Sequence, residues 1–397
     1  MKIIERPEYL EKLKRVKGTP DIKVITGVRR SGKSRLMDSY IDWLMKNDGN
    51  ANIIAIDMTD LDFEELKEYH ALNNYVKEHY ERNRTNYLFI DEVQMCPSFE
   101  LTINSLHSSG KYDIYITGSN AFLLSSNLAT LFTGRTYEIE VFPFSFSEYA
   151  QYFRENDEEM AFDNYLKCGG MAGSYPYQQQ EEKYKYIEDV FDTLIVRDIR
   201  KKYNIRNTAL MDRIADFLMD NTSNLSSTRK IADTLTKNSD KINHKTVGKY
   251  IEYLCNAFAF YEVRRYDIRG KKYLASSEKY YLSDHAFRYA KLGTRNMDYG
   301  RVMENIVAIE LMRRGYDVYV GVLYKKEIDF VAMKHDEKMY VQVSDDISGE
   351  ETFKREVEPL LKIKDAYPKM LIARTRHEAY QYEGIKVVNI ANWLTGK

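Results

Sequence analysis

Eleven residues constrain this chain more than any others. TGVRRSGKSRL (residues 26–36) follows the β-prone run KVIT and precedes MDSYIDWLM, whose apolar residues recur at helical spacing. Gly27, Gly32, Lys33 and Ser34 fit G-x-x-x-x-G-K-[ST], and a strand before with a helix after is the setting that a phosphate-binding loop requires. The glycines let backbone N–H groups turn inward around a β-phosphate, with Arg30 and Ser31 inside the turn. Lys33 reaches the β and γ oxygens, Ser34 ligates Mg²⁺, and the helix N-terminus adds partial positive charge. The competing reading is a basic Gly/Ser turn that binds nothing, and the flanks speak against it. Alone, the loop says only that a nucleoside triphosphate binds.

A second element makes it an ATPase. YLFIDEVQ (87–94) is an apolar run ending in two adjacent carboxylates, as a buried parallel strand delivers acids to its carboxyl edge. Asp91 is placed to hold Mg²⁺ through water, and Glu92 to orient the attacking water. YDIYITGSN (112–120) reads as another buried strand, bringing Asn120 toward the water or the γ-phosphate. In ATLFTGRTYEIEVFPFSFSEY (129–149), Arg135 stands at the start of a strand, from which a guanidinium projects toward a neighbouring subunit's nucleotide as an arginine finger.

These collinear motifs over residues 20–150 resemble the bacterial and archaeal AAA-type "ATP-binding protein" family. The resemblance implies that Lys33, Ser34, Asp91, Glu92, Asn120 and Arg135 are the P-loop, Walker B, sensor and finger positions. It also implies an α/β P-loop core over residues 1–145, with ATP and Mg²⁺ as its ligands.

From residue 146 to 207 the pattern turns helical (FSEYAQYF, FDNYLKCGG, YIEDVFDTLIVRDIRKKY), broken by the turn GGMAGSYP, and reads as a helical lid. In the resembling family a similar turn and RDI stretch occur, which implies γ-phosphate sensing by Arg197 or Arg200. Residues 208–295 read as a winged helix-turn-helix: ALMDRIADFLMD, SSTRKIADTL and NHKTVGKYIEYLCNAFAF, then strands YEVRRYDI and KKYLASSEKYYLSD around an RGKK wing. On duplex DNA, His244, Lys245 and Lys249 enter the major groove, while Arg264, Arg265, Arg269, Lys271 and Lys272 meet phosphates. The same module also serves as a protein-interaction domain, and Glu252, Glu262 and Asp267 dilute its basic face, so both readings stay open.

Residues 296–397 run helix, three strands, helix, two strands, and resemble the αβββαβ core of restriction-endonuclease-like folds. Active members of that superfamily converge a helix Glu, a strand Asp, and an acid and a Lys two residues apart. Here those places hold Glu304, Asp329, Gln342 and Ser344. Gln342 offers a metal one neutral oxygen, and Ser344 cannot stabilise a developing phosphorane as an ammonium does. The expectation is therefore a degenerate nuclease fold used for binding or assembly, with a residual Mg²⁺ site at Glu304 and Asp329. The plainer reading has Glu304 cap a salt-bridged helix and Asp329 face a turn.

Composition narrows the rest. Lys plus Arg (59) nearly cancels Asp plus Glu (60) over 397 residues, so a nucleic-acid partner must be held by a local basic face. Cys96, Cys168 and Cys255 are too few and too dispersed for a disulfide framework or a zinc site. No apolar stretch reaches the roughly 18 residues of a membrane span. The expectations are a cytoplasmic protein, ATP and duplex DNA as partners, no membrane, and a homo-oligomer. Two rivals remain: a nucleotide-dependent scaffold or signalling switch that binds proteins without DNA, and an ATP-regulated nuclease.

Overall fold

The computed structural model describes residues 4–118, 132, 134–155, 157–236, 242–294, 298–324 and 326–397. They form two compact units, Met1–Val141 with Asn256–Phe258, and Phe142–Cys255 with Ala259–Lys397.

In the first unit, β1 (Ile22–Thr26), β2 (Ala51–Asp57), β3 (Thr85–Asp91), β4 (Tyr112–Thr117) and β5 (Thr136–Glu140) make a parallel sheet in the order β2-β3-β4-β1-β5. The central runs IKVIT, TNYLFID and YDIYIT are buried almost throughout, because helices cover both faces of the sheet. Helices α1 (Pro7–Arg15) and α2 (Lys33–Asn47) cover one face, where Tyr9, Leu13, Leu36, Met37 and Tyr40 pack on Ile25, Phe89 and Tyr115. On the other, Leu72 and Val76 of α3 (Tyr69–Glu78) and Ile103 and Leu106 of α4 (Phe99–Ser108) pack on Val24, Leu88, Ile90 and Ile116. Because every strand runs the same way, Thr26, Asp57, Asp91 and Thr117 all arrive at one carboxyl edge.

The second unit opens with α5 (Phe146–Phe153), started by a reciprocal Ser145/Glu148 capping box, then α6 (Glu158–Cys168) and α7 (Gln180–Thr193). Helix α7 passes into a π-helical stretch, Leu194–Arg200. The GGMAGSYP turn after α6 is pinned from the distant chain: Gly170 N–H donates to Asp284 Oδ2 at 2.7 Å, and a Cβ on Gly170 would stand 2.2 Å from the Phe144 carbonyl. The helices α8 (Thr208–Asp220), α9 (Thr228–Thr236) and α10 (His244–Asn256) follow, then the hairpin β6 (Phe260–Asp267) and β7 (Lys272–Leu282). After α11 (Ala286–Leu292) and α12 (Tyr299–Arg313) come β8 (Asp317–Leu323), β9 (Lys326–Lys334), β10 (Glu337–Ser344), α13 (Glu350–Leu361), β11 (Lys369–Ala373), β12 (Tyr380–Tyr382), β13 (Ile385–Asn389) and α14 (Ile390–Thr395).

The two strands expected around the RGKK turn form an antiparallel hairpin, and that hairpin also belongs to a larger sheet. The strand order β12-β13-β11-β10-β9-β8-β6-β7 makes it one end of an eight-stranded sheet, with Arg265–Asp267 paired to Val320–Val322 of β8. That sheet therefore crosses the boundary expected at residue 295. No helix among the described residues is long and apolar enough to cross a membrane.

Candidate functional site

The loop between β1 and α2 has the backbone that its glycines foretell. Gly27 lies at φ +131°, with the Val141 carbonyl 2.2 Å from where a Cβ would sit, and Gly32 begins α2 at φ +98°. Arg30, exposed at the loop's turn, takes φ +66° without being glycine. The Lys33 ammonium is buried and donates back to the Gly27 and Val28 carbonyls at 2.9 and 3.1 Å. Ser31 is buried too, and its hydroxyl has no hydrogen-bond partner among the described residues, an orphan in the wall of the loop.

Beside the loop, Asp91 is buried at the end of β3 and accepts from the Thr117 hydroxyl. Burial raises its carboxyl above the usual range, with the Ser34 and Thr117 hydroxyls pulling the other way. Glu92 follows at φ +51°, its N–H donating to Thr117 Oγ1 at 3.1 Å and its carboxylate accepting from the Gln94 amide. Loop, Ser34, Asp91 and Glu92 are thus brought together. Ser34 and Asp91 are the oxygen donors that fit Mg²⁺, through few protein ligands with room left for phosphate and water.

Sequence reasoning missed Thr117, the hydroxyl that ties Asp91 to Glu92, although ITGSN had drawn attention to the end of that strand. On the neighbouring strand, Glu138 of β5 accepts from Thr26 Oγ1 at 2.8 Å. Asn120 lies outside the described residues, as does the Arg197 side chain. Arg200 is engaged by the Asp212 carboxylate, at 2.5 Å. Arg135 is exposed just before β5, which pairs in parallel with β1 from Ile22↔Thr136 onward. It therefore sits at the amino edge of the sheet, a five-residue strand (roughly 17 Å) from the edge that carries its own loop.

In the second unit, His244, Lys245 and Lys249 are exposed on α10, where Asn243 caps the helix start by accepting from Lys245 N–H at 2.9 Å. Arg264, Arg269, Lys271 and Lys272 are exposed on the hairpin, Arg264 pairing with Glu262 at 3.2 Å and Arg269 lying over the Tyr324 ring. Arg265 is half-buried and its Nε has no partner among the described residues. The helical segment meets the hairpin through the Ser226–Glu278 bridge, six residues along β7 from Lys272.

The four nuclease-like positions are only partly gathered. Glu304 and Asp329 flank a lysine that sequence reasoning did not single out: Lys279 of β7, 3% exposed, lies 2.8 Å from Glu304, 2.7 Å from Glu327 and 4.0 Å from Asp329. Tyr281 donates to Glu304 at 2.6 Å. Burial alone would lower the Lys279 ammonium, but the three carboxylates raise it above its ordinary value. Asp329 is driven well up by burial and then by the Glu304 charge, while its Oδ2 accepts from Val343 N–H at 2.8 Å. Gln342 turns to the Asp329 N–H and to Glu356, and Ser344 donates to the Asp346 carbonyl. The ammonium already lies between the acids, and no group of three or more carboxylate, histidine or cysteine side chains among the described residues is arranged as a metal cage. The donor set does not fit the divalent cation expected at Glu304 and Asp329. The plainer reading is corrected as well: Glu304 lies inside α12 and pairs with a strand lysine, and Asp329 is buried within β9.

An AAA domain matches residues 19–150, and a domain of unknown function matches residues 159–298. An uncharacterized protein of Haemophilus influenzae is 38% identical over 398 residues, spanning 99% of this chain and 98% of that one. An uncharacterized protein of Methanocaldococcus jannaschii is 28% identical over 365 residues, spanning 87% and 79%. Among solved structures, a Walker-type ATPase of Pyrococcus abyssi overlaps with a TM-score of 0.47 at 16% identity, over 72% of this chain and 95% of that one. With its parallel sheet, its phosphate loop and a relative that matches it from end to end, the chain belongs to the family of the Haemophilus protein, an AAA-type P-loop family.

Proposed function

We propose that this chain binds ATP with Mg²⁺ and hydrolyses it to ADP and phosphate, and that the cycle drives a conformational change in the C-terminal region. The observation that carries the reading is Asp91, held by Thr117 beside the buried Lys33 loop. Lys33 exchanges two backbone carbonyls for β- and γ-phosphate oxygens, and the loop amides take the β-phosphate. Ser34 and Asp91 hold Mg²⁺, which when bound neutralises charge on the phosphate oxygens. Glu92, fixed by Thr117 and Gln94, aligns the attacking water. Lys33→Ala should abolish ATP binding, whereas Glu92→Gln should bind ATP and turn it over far more slowly. Parental hydrolysis by purified Lys33→Ala would sink the assignment.

The C-terminal region is read as a DNA-binding helical segment, related to winged helices, on a degenerate nuclease-like sheet. The exposed basic residues of α10 and of the hairpin support duplex DNA as the partner. Replacing Arg264, Lys271 and Lys272 with alanine should weaken binding to any duplex and flatten its salt dependence, while Lys245→Ala should shift sequence preference. A parent protein that retains no duplex at low salt, with or without ATP, leaves the protein-binding switch in possession. Against the nuclease reading stand Lys279, locked between Glu304 and Glu327, and the hydroxyl at Ser344.

A further inference from the structure

Helix α1 lies outside the residues matched by the AAA domain, yet it is fastened to α2, the helix that springs from the phosphate loop, by Tyr9 and Leu13. Immediately before α1, Arg6 is 6% exposed, and its guanidinium lies 4.4 Å from the centroid of the Tyr9 ring. Its Nη1 donates to the Ser31 carbonyl of the loop at 3.0 Å in a buried hydrogen bond. The Ser31 carbonyl and the Gly32 N–H belong to the same planar trans peptide and point in opposite directions. A donor that fixes one therefore fixes the other.

We infer that Arg6 is a positioning residue of the nucleotide site, which by holding the Ser31 carbonyl outward keeps the Gly32 N–H aimed into the phosphate cradle. The loop needs such a hold. Gly32 at φ +98° and Arg30 at φ +66° both lie in the left-handed region, and glycine gives the peptide little resistance to turning over. Turned over, the same unit would present a carbonyl oxygen to the phosphate in place of a donor. A charged donor in a buried setting makes a stronger tether than a neutral one. Since α1 is bound to α2 by apolar packing, the tether and the loop move as one piece.

The inference rests on the ATP reading and deepens it. The test uses the full chain, with Arg6→Ala and Arg6→Lys measured for ATP turnover and for ADP and AMP binding by competition with a fluorescent nucleotide. Arg6→Ala should raise the KM for ATP about tenfold or more, the worth of one charged hydrogen bond, with kcat little changed. Arg6→Lys, which keeps one charged donor, should recover part of the loss. ADP affinity should fall while AMP affinity holds, because the β-phosphate is what the turned amide meets. An unchanged KM in Arg6→Ala, or ADP and AMP weakening together, overturns the proposal. If thermal melting shows Arg6→Ala unfolded, Arg6→Lys decides: a parental ADP-to-AMP affinity ratio overturns it, a reduced one supports it. A parent that binds no ATP defeats the ATP reading itself and takes this proposal with it.

Discussion

Lys279 meets three carboxylates with one ammonium and is all but sealed from water. Removing a single cation from such a group leaves buried negative charge uncompensated, which costs more than the pair contributes when intact. Lys279→Met should therefore lower unfolding free energy by about 3–5 kcal/mol in a urea titration. Glu327→Gln, at a carboxylate 37% exposed, should cost about 1 kcal/mol or less. A Lys279→Met protein as stable as its parent would show that the acids are neutralised by something else. The sequence displayed Glu304 and Asp329 because their places follow from element order, but Lys279 sits in SSEKYYLSD, an ordinary strand pattern. Only the folding of β7 toward α12 makes it their partner, and that is a long-range fact. Arg6 was hidden for the same reason, whereas Gly27, Lys33, Ser34, Asp91 and Glu92 were legible because the chemistry of a phosphate loop is written in local spacing.

The α6–α7 turn depends on two buried neighbours that titrate, Asp284 beneath Gly170 and His285, whose Nε2 faces the Tyr165 carbonyl at 3.0 Å. Burial lowers the His285 imidazole below its ordinary 6.5, opposed by the Asp284 charge. Below pH 6.5 the unfolded chain takes up this proton and the folded chain does not, so the unfolded state binds more protons and stability falls as pH drops. Thermal melting should show the loss setting in near pH 6.5, and His285→Gln should flatten that part of the profile. Asp284, raised by burial, works in the opposite sense, so the histidine contribution is read from the difference between the parent and His285→Gln profiles. At this scale the strands of the first unit were readable as apolar runs because they are buried on both faces. The union of the hairpin with β8 was not, since nothing in YEVRRYDI states that it pairs with YDVYVGVL some fifty residues later.

Whole-molecule behaviour turns on where Arg135 lies. It stands just before β5, at the sheet edge opposite the β1–α2 loop, and the proposed finger is one supplied by a second copy. Arg135→Ala should bind ATP normally and hydrolyse it poorly, and mixing it with Lys33→Ala should restore part of the activity, each copy lending what the other lacks. Normal turnover by a protein that stays monomeric at every concentration removes the idea. The hairpin β6–β7 bears on the gene as much as on the protein. A coding sequence divided after codon 295 would strand two hydrogen-bonded strands on the upstream product and give the downstream one a raw β8 edge, a template for aggregation. A laboratory dissection that removes the AAA-type core is better cut near residue 141, where the first unit's main segment ends, because that keeps the hairpin with β8.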